Sequence, residues 1–342
     1  MSRRLRALVV TGVLFVVAVV VAIVLPVPYV VLGPGLTLNT LGDDPQGKPI
    51  LTISGGPVRQ TSGHLNLTTV SVSTDDVNIV QALAGWLRHD EIVVPRASVY
   101  PPGRTEQQTN AQNAKDFTDS QNSAEAAAFC ELGYPKGFGV LSLTSSNAKQ
   151  VLKVGDGLVS LAGQPVGDQG ALKDVLAGLT PGQVVPVVVN RDGHQQTVQL
   201  TLSAPVKGAT GASIGIGVAD ACLAPYSIDF GLGNEIGGPS AGLMFALGII
   251  DKIGTEDVTD GRFIAGTGTI AADGTVGPIG GIQLKMIAAH DAGASVFLAP
   301  ADNCNDVRGN VPAGLDVVKV SSLHGALADL QTLHDGGAVP HC

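Results

Sequence analysis

Two glycine-rich turns, each leading directly into an apolar segment of helical pattern, constrain this chain more than any other feature. In the first, Gly237-Gly238-Pro239 interrupts regular structure, and Ser240 to Ile250 then predicts a buried helix that ends near Gly254. In the second, Gly280-Gly281 leads into a helical segment that contains Lys285. The sequence therefore places a serine and a lysine, 45 residues apart, at or near the starts of two helices.

Lys285 has a setting that suits a general base. Positions 281, 282, 288 and 289 share its helical face, and they are Gly, Ile, Ala and Ala. No acidic residue lies within one helical turn, so a protonated amine would be desolvated without a partner. Burial is therefore expected to lower the lysine pKa from about 10.4 towards roughly 7–8, where a neutral amine can take a proton.

Ser240 has the complementary setting of a nucleophile. At a helix start, free backbone N–H groups and the positive end of the helix dipole can stabilise an oxyanion. We expect the turn residues Gly238, Pro239 and Ala241 to shape that oxyanion site. The alternative from the serine segment alone is that Ser240 is simply a helix N-cap after a tight turn.

A second enzyme class stays open, because residues 238–242 also satisfy the G-x-S-x-G nucleophile elbow of the α/β-hydrolases. That fold needs a buried strand before the elbow, and residues 229–235 form a poor one. It also needs a later acid and histidine. Candidate histidines follow at four positions, namely His290, His324, His334 and His341.

The serine and lysine segments together resemble the catalytic motifs of the Lon-type proteases. The resemblance includes residues 266–279, which join them as an apparent β-hairpin. It implies a serine–lysine dyad of Ser240 and Lys285, with Thr267 as the helper threonine. Many Lon proteases carry an acid two residues before the Pro-Ser pair, and this chain has Gly237 there. In that respect the chain is similar to the membrane-anchored, PDZ-containing, ATPase-free bacterial branch.

The N-terminal segment predicts a membrane anchor. Ala7 to Leu25 carries no charge and, at 1.5 Å per residue, is just long enough to cross a ~30 Å hydrocarbon core. The preceding Arg3, Arg4 and Arg6 predict a cytoplasmic N-terminus and an extracytoplasmic remainder, hence a single-pass cell-membrane protein. A cleavable signal peptide is the alternative, although no small-x-small site follows before Pro26.

Charge and cysteine spacing exclude several partners. With 29 acidic and 20 basic residues the formal net charge is −9, which argues against nucleic acid as a partner. The four cysteines show no C-x₂-C spacing, so we expect disulfides and no metal. Of three connectivities we favour Cys130–Cys222 and Cys304–Cys342, with unpaired buried thiols as the alternative. The sequence also contains no G-x-x-x-x-G-K-[ST] P-loop, which predicts an ATP-independent protein without a cofactor.

Residues 134–204 resemble a PDZ domain. In that family a Gly-Phe-Gly loop and the following strand hold the carboxyl terminus of a peptide, which adds as an extra strand. The resemblance places the peptide-binding residues at Gly137, Phe138, Gly139 and Val140. The alternative is that this domain is a lid or spacer without a free ligand.

These observations predict an α+β fold in which a Lon-type protease domain carries an inserted PDZ domain, preceded by one transmembrane helix. The expected divisions are an N-terminal tip and anchor at 1–30, a linker and first protease part at 31–132, the PDZ domain at 133–205 and the second protease part at 206–342. The hypothesis is a membrane-anchored serine endopeptidase that cleaves exported proteins or peptides, captured or gated through their C-termini. The main alternative is a non-catalytic PDZ adaptor at the cell surface. Because Lon-type domains often form rings, a homo-oligomer is compatible with the resemblance.

Overall fold

The structure is a computed structural model that describes residues 3–73, 77–191, 193–205, 210–232 and 236–342. The predicted domain limit at residues 205 and 206 adjoins residues 206–209, which lie outside the described residues. Residues 233–235, at the end of the segment tested as a hydrolase strand, also lie outside them.

Helices and strands alternate irregularly along the chain, so the predicted mixed α+β class is confirmed. The helices are α1 Arg3–Val24, α2 Ile79–Leu87, α3 Arg96–Val99, α4 Glu106–Glu131, α5 Ser146–Val151, α6 Gln169–Ala177, α7 Gly242–Ile253, α8 Ile282–Asp291, α9 Cys304–Val307 and α10 Leu323–His334, with a 3₁₀ turn at Ala301–Asn303. The strands are β1 Tyr29–Asn39, β2 Leu51–Ser54, β3 His64–Val72, β4 Ile92–Pro95, β5 Lys136–Leu143, β6 Gly157–Leu161, β7 Gln164–Pro165, β8 Val184–Arg191, β9 His194–Thr201, β10 Ile216–Cys222, β11 Ser227–Phe230, β12 Phe263–Gly266, β13 Thr269–Ile270, β14 Val276–Gly277, β15 Val296–Pro300 and β16 Asp316–Val320.

The larger sheet carries the candidate site and has the strand order β16-β15-β12-β3-β1-β4. Its β16, β15, β12 and β3 are parallel, while β1 is antiparallel to both β3 and β4. Alternate side chains along a strand face opposite sides of a sheet. In β12, Ile264 therefore packs in the core that contains α4 and α7, while Ala265 packs in the core that contains α8. The two helices of the predicted motifs thus lie on opposite faces of this sheet.

Helix α7 is the centre of the larger core. Every residue from Gly242 to Asp251 is buried, which follows from a segment that is apolar on all sides. Its packing against the sheet is close: a Cβ at Gly248 would lie 2.6 Å from Thr40 Oγ1. Glycine at this position therefore lets the helix approach the chain after β1.

The smaller sheet has a core of its own. Its strands run in the order β10-β5-β6-β8-β9, with β7 paired to β6, and all of these pairings are antiparallel. Val185, Val187 and Val189 of β8 point inward and pack with Leu172 of α6. The alternating buried pattern is that of a strand with one face on a core.

The predicted transmembrane segment at residues 7–25 is wrong. Of the helices in the described ranges, none combines the length and the apolar character needed to cross a membrane. Helix α1 itself spans Arg3–Val24. The side chains of Arg3 and Arg6, on which the predicted orientation rests, lie outside the described residues.

Both expected cysteine pairs are disulfides in the structure. Cys130, near the end of α4, is bonded to Cys222, at the end of β10. Cys304 is bonded to Cys342. The first bond joins the smaller sheet to the longest helix of the larger core, and the second holds the C-terminal residue against α9.

Removing the C-terminal disulfide is expected to destabilise the fold. The double change Cys304→Ser and Cys342→Ser releases a loop closed over 38 residues. The entropy that such a closure removes from the unfolded chain is worth about 2–4 kcal/mol. Urea denaturation should show a loss of that size in the unfolding free energy. A loss below about 0.5 kcal/mol would mean that the disulfide does not restrict the unfolded chain as the loop-closure argument requires.

Candidate active site

Lys285 lies in the first turn of α8 and reaches across to the catalytic candidates on the other elements. The helix begins after Gly281, whose φ of 69° is a left-handed conformation that glycine adopts without strain. The lysine Nζ lies 2.8 Å from Ser240 Oγ, 3.0 Å from Thr267 Oγ1 and 3.0 Å from the Thr68 carbonyl oxygen. The structure therefore brings Ser240, Lys285 and Thr267 together at one point.

The hydrogen bonds around Nζ determine where a neutral amine would hold its lone pair. The Thr267 hydroxyl donates to the Ser240 carbonyl oxygen at 3.0 Å, so its oxygen is free to accept from Lys285. The Thr68 carbonyl can only accept. A neutral amine has two N–H bonds, which these two acceptors satisfy. Its lone pair then faces Ser240 Oγ, whose O–H donates to it.

Burial favours the neutral form of the Lys285 amine. Lys285 is 3% exposed, and this desolvation lowers its pKa to about 7. Its three hydrogen-bonding partners are two hydroxyls and a carbonyl, so no carboxylate among them stabilises the charged form. A lysine with a pKa near 7 can act as a general base at neutral pH.

Ser240 lies two residues before the start of α7 at Gly242, because the N-cap of that helix is Ala241. The turn that precedes it requires Gly238 in a left-handed conformation, with φ of 86°. Gly238 N–H donates to the Asn113 carbonyl oxygen of α4 at 2.8 Å. The Ser240 hydroxyl contacts Lys285 and makes no capping bond in the described residues. The alternative role of Ser240 as an N-cap therefore does not fit this geometry.

The serine turn also offers backbone donors. In the described part of the chain, neither the Ser240 N–H nor the Ala241 N–H donates a hydrogen bond to another protein group. They lie at the amino end of α7, where the helix dipole favours negative charge. Gly238, Pro239 and Ala241 all line the same cleft as Ser240. The arrangement can place N–H donors on an oxyanion that forms at a carbonyl attacked by Ser240.

A cleft of about 1560 Å³ opens at the serine and lysine. Its walls come from β1, β3, α4 and the two turns that precede α7 and α8. On the β3 side, β12 pairs only as far as Leu67, so the following residues Thr68 to Val72 line the cleft. The space is large enough for several residues of an extended peptide.

Sequence reasoning missed two contributors to this site. The Thr68 carbonyl binds Lys285, and Ser120 Oγ donates to the Pro239 carbonyl oxygen at 2.9 Å. The first is a backbone group, which any residue type supplies. The second lies 119 residues from its partner, and no local pattern in α4 marks it.

The described structure pairs the downstream histidines with acids away from Ser240. The pairs are His290 with Asp291, His324 with Glu131, His334 with Asp260, and His341 with Asp316. The strand β11 before the serine turn pairs with β2 in a small two-stranded sheet and does not enter the elbow from a central sheet. This arrangement gives no support to the α/β-hydrolase alternative.

The four predicted peptide-binding residues, Gly137 to Val140, lie inside the smaller sheet. Strand β10 pairs with all of them along one side of β5. On the other side, Gly139 pairs with Gly157 of β6, and Val140 N–H donates to the Asp156 carbonyl oxygen at 2.9 Å. A peptide that adds as a strand needs an unpaired edge. Around Gly139 and Val140, β5 therefore has a neighbouring chain on both sides, and the edge strands of the described sheet are β10 and β9.

Comparison with known families matches both parts of the chain. Residues 235–330 match the model of the Lon protease (S16) C-terminal proteolytic domain, and residues 116–202 match that of the PDZ domain. The fold and the site thus define a chain that carries a Lon-type serine peptidase domain together with a PDZ domain. The two resemblances predicted from the sequence are confirmed.

The curated relatives match over the C-terminal segment. Lon protease 1 of Sorangium cellulosum is 40% identical over 94 residues, which are 27% of this chain and 11% of that protein. Lon protease 1 of Bacillus subtilis is 36% identical over 93 residues, 26% of this chain and 12% of that protein. The chain therefore matches only about an eighth of the length of these relatives or less. Among solved structures, the PDZ domain of the SdrC-like protein from Listeria monocytogenes is 23% identical, with a TM-score of 0.23, and covers 24% of this chain and 87% of that domain.

Proposed function

We propose that this chain is an ATP-independent serine endopeptidase that uses a Ser240–Lys285 dyad on exported proteins or peptides. The observation that carries the proposal is the 2.8 Å separation between Lys285 Nζ and Ser240 Oγ, at a lysine whose pKa burial lowers to about 7. A nucleophile within hydrogen-bonding reach of an unprotonated base is the requirement for covalent catalysis.

The reaction follows from the hydrogen bonds of the site. The lone pair of Lys285 takes the Ser240 proton as Oγ attacks the scissile carbonyl carbon. The resulting oxyanion is stabilised by the N–H groups of Ser240 and Ala241. Lys285 then gives the proton to the departing amine as the C–N bond breaks, and water hydrolyses the acyl-enzyme by the same route. Thr267 orients the amine, since it accepts from Nζ and donates to the Ser240 carbonyl.

Three observations support the finer parts of the proposal. The sequence has no P-loop, which favours proteolysis without ATP. Its disulfides favour an oxidising, extracytoplasmic compartment. The open cleft beside Thr68 to Val72 fits an extended polypeptide and therefore an endopeptidase.

The PDZ domain would capture or gate the substrate. Since β5 has β10 on one side and β6 on the other, a peptide strand would add at an edge strand of the described sheet, β10 or β9, and we take β10. Ile216 and Val218 of β10 pack against the same core as Val175 and Leu176 of α6, so a peptide along β10 would also lie near that helix. Capture of a substrate peptide at the β10 edge is part of the proposal and rests on the geometry of the described strands.

Labelling with a fluorophosphonate probe tests the proposal directly. An activated serine should react covalently, and Ser240→Ala should abolish the label. Ser123→Ala provides a matched control, because Ser123 is a half-buried serine of α4 with no hydrogen-bond partner in the described residues. Labelling that persists in the Ser240→Ala variant would contradict the dyad. No labelling of the native protein at any pH would favour the non-catalytic adaptor.

A further inference from the structure

Helix α4 makes two hydrogen bonds to the serine turn, residues 237–241. Neither of them involves the side chain of Ser240 or Lys285. Ser120 Oγ donates to the Pro239 carbonyl oxygen at 2.9 Å, and the Asn113 carbonyl accepts from Gly238 N–H at 2.8 Å. We propose that Ser120 is a positioning residue that fixes the orientation of the Ser240 N–H in the oxyanion site. The inference rests on the proposed peptidase function and adds a residue to it.

The argument follows from the planarity of the peptide bond. The Pro239 carbonyl and the Ser240 N–H belong to the same peptide group, and in a trans peptide they point in opposite directions. No cis peptide is present in the described residues. A hydrogen bond that holds the Pro239 oxygen towards α4 therefore aims the Ser240 N–H away from α4. Rotation of this plane would turn the donor out of line with the oxyanion.

The next peptide group is fixed in the same way from the other side. The Ser240 carbonyl accepts from Gly268 N–H at 2.8 Å and from the Thr267 hydroxyl at 3.0 Å. This peptide group carries the Ala241 N–H, so the second donor is also held. Without the Ser120 hydroxyl, the first peptide group would lose its one side-chain hydrogen bond within the described residues, while the second would keep both of its bonds.

The Ser120 hydroxyl is committed to this contact. A serine or threonine inside a helix commonly bonds back to the carbonyl four residues earlier, and Thr118 of the same helix does so, to Ala114 at 3.1 Å. Ser120 instead reaches a different element. It is 5% exposed, and a Cβ at Gly242 would lie 2.8 Å from its Oγ. The start of α7 thus packs directly on this hydroxyl.

The test compares Ser120→Ala with Ser123→Ala, the same change one turn further along α4. Cleavage of fluorescein-labelled β-casein gives kcat and KM, and a peptide boronic acid, which forms a tetrahedral adduct on the serine, reports oxyanion stabilisation. Active sites are counted by exhaustive fluorophosphonate labelling, so that any unfolded fraction does not enter kcat. Loss of one oxyanion donor costs about 10²–10³ in kcat, and misorientation should cost part of that, about 10- to 100-fold.

For Ser120→Ala we expect this fall in kcat, while KM changes less than about twofold. The affinity for the boronic acid should fall by the same factor as kcat. The pKa that governs the acid side of the pH profile should stay at the native value, because Lys285 keeps its partners. Ser123→Ala should match the native protein. Boronic acid affinity at the native value, or equal kcat losses in both variants, overturns the inference. The dyad itself fails only if Ser240→Ala or Lys285→Met retains activity, so the two failures are distinguishable.

Discussion

Replacement of Lys285 by methionine is expected to lower the turnover of an unfolded protein by about 10³-fold or more. Methionine has nearly the length and volume of lysine but no amine, so Ser240 loses its proton acceptor while the space in the core stays filled. General base catalysis contributes about 10²–10⁴ in rate, and the lost amine also serves as the acid for the leaving group. The measurement is the cleavage rate of fluorescein-labelled β-casein at pH 8.

Lys252→Met is the matched control for this experiment. Lys252 also has its pKa lowered by burial, and its Nζ donates to the Leu41 carbonyl oxygen at 3.1 Å. It does not line the cleft at Ser240. The control should retain nearly native turnover. A Lys285→Met protein that is folded by circular dichroism and keeps more than about a tenth of native activity would rule out the lysine as general base.

The rate of serine acylation should depend on pH with a midpoint near 7. Lys285 has a pKa lowered to about 7 by burial, and only its neutral form can accept the Ser240 proton. Below the midpoint the amine becomes protonated, so the rate should fall about 50-fold between pH 7 and pH 5, approaching tenfold for each pH unit. Above it the rate should level off. A lysine in water would give a rise that continues to about pH 10.4.

The fluorophosphonate labelling rate between pH 5 and pH 10 measures this profile in one chemical step. The Lys285→Met variant supplies the control, because its residual labelling should lose the midpoint near 7. A native profile that keeps rising to pH 10 would show that the amine is charged at neutral pH. The mechanism proposed above could then not operate at neutral pH.

The sequence predicted the parts of the site that depend on local pattern. Glycine and proline before Ser240, and glycines before Lys285, mark turns because few other residues adopt those backbone conformations. The apolar segments after them mark buried helices, and the observed α7 and α8 start within two residues of the expected places. The absence of a nearby acid on α8 predicted an uncharged lysine. The cysteine connectivity favoured from the sequence, one of three possible, is also the one observed.

The sequence predictions about strand pairing and about membrane crossing were less secure. The glycines at 137 and 139 are typical of a peptide-binding loop, yet β10 returns from later in the chain and pairs with β5. The uncharged segment 7–25 was expected to cross a membrane, and none of the helices in the described ranges has the length and apolar character to do so. The strand pairing could not be predicted from residues 136–143 alone, since it depends on a strand that lies later in the chain.

By itself, the sequence identified the candidate catalytic residues and where helices begin, because residue type and local spacing control turns, burial and the charge of an isolated amine. Only the tertiary structure decided what those residues contact. It placed α7 and α8 on opposite faces of one sheet, so that Nζ meets Oγ beyond the end of β12, and it brought Ser120 of α4 to the Pro239 carbonyl. Contacts between residues 45 and 119 positions apart arise from the packing of whole helices and strands, which no local pattern records.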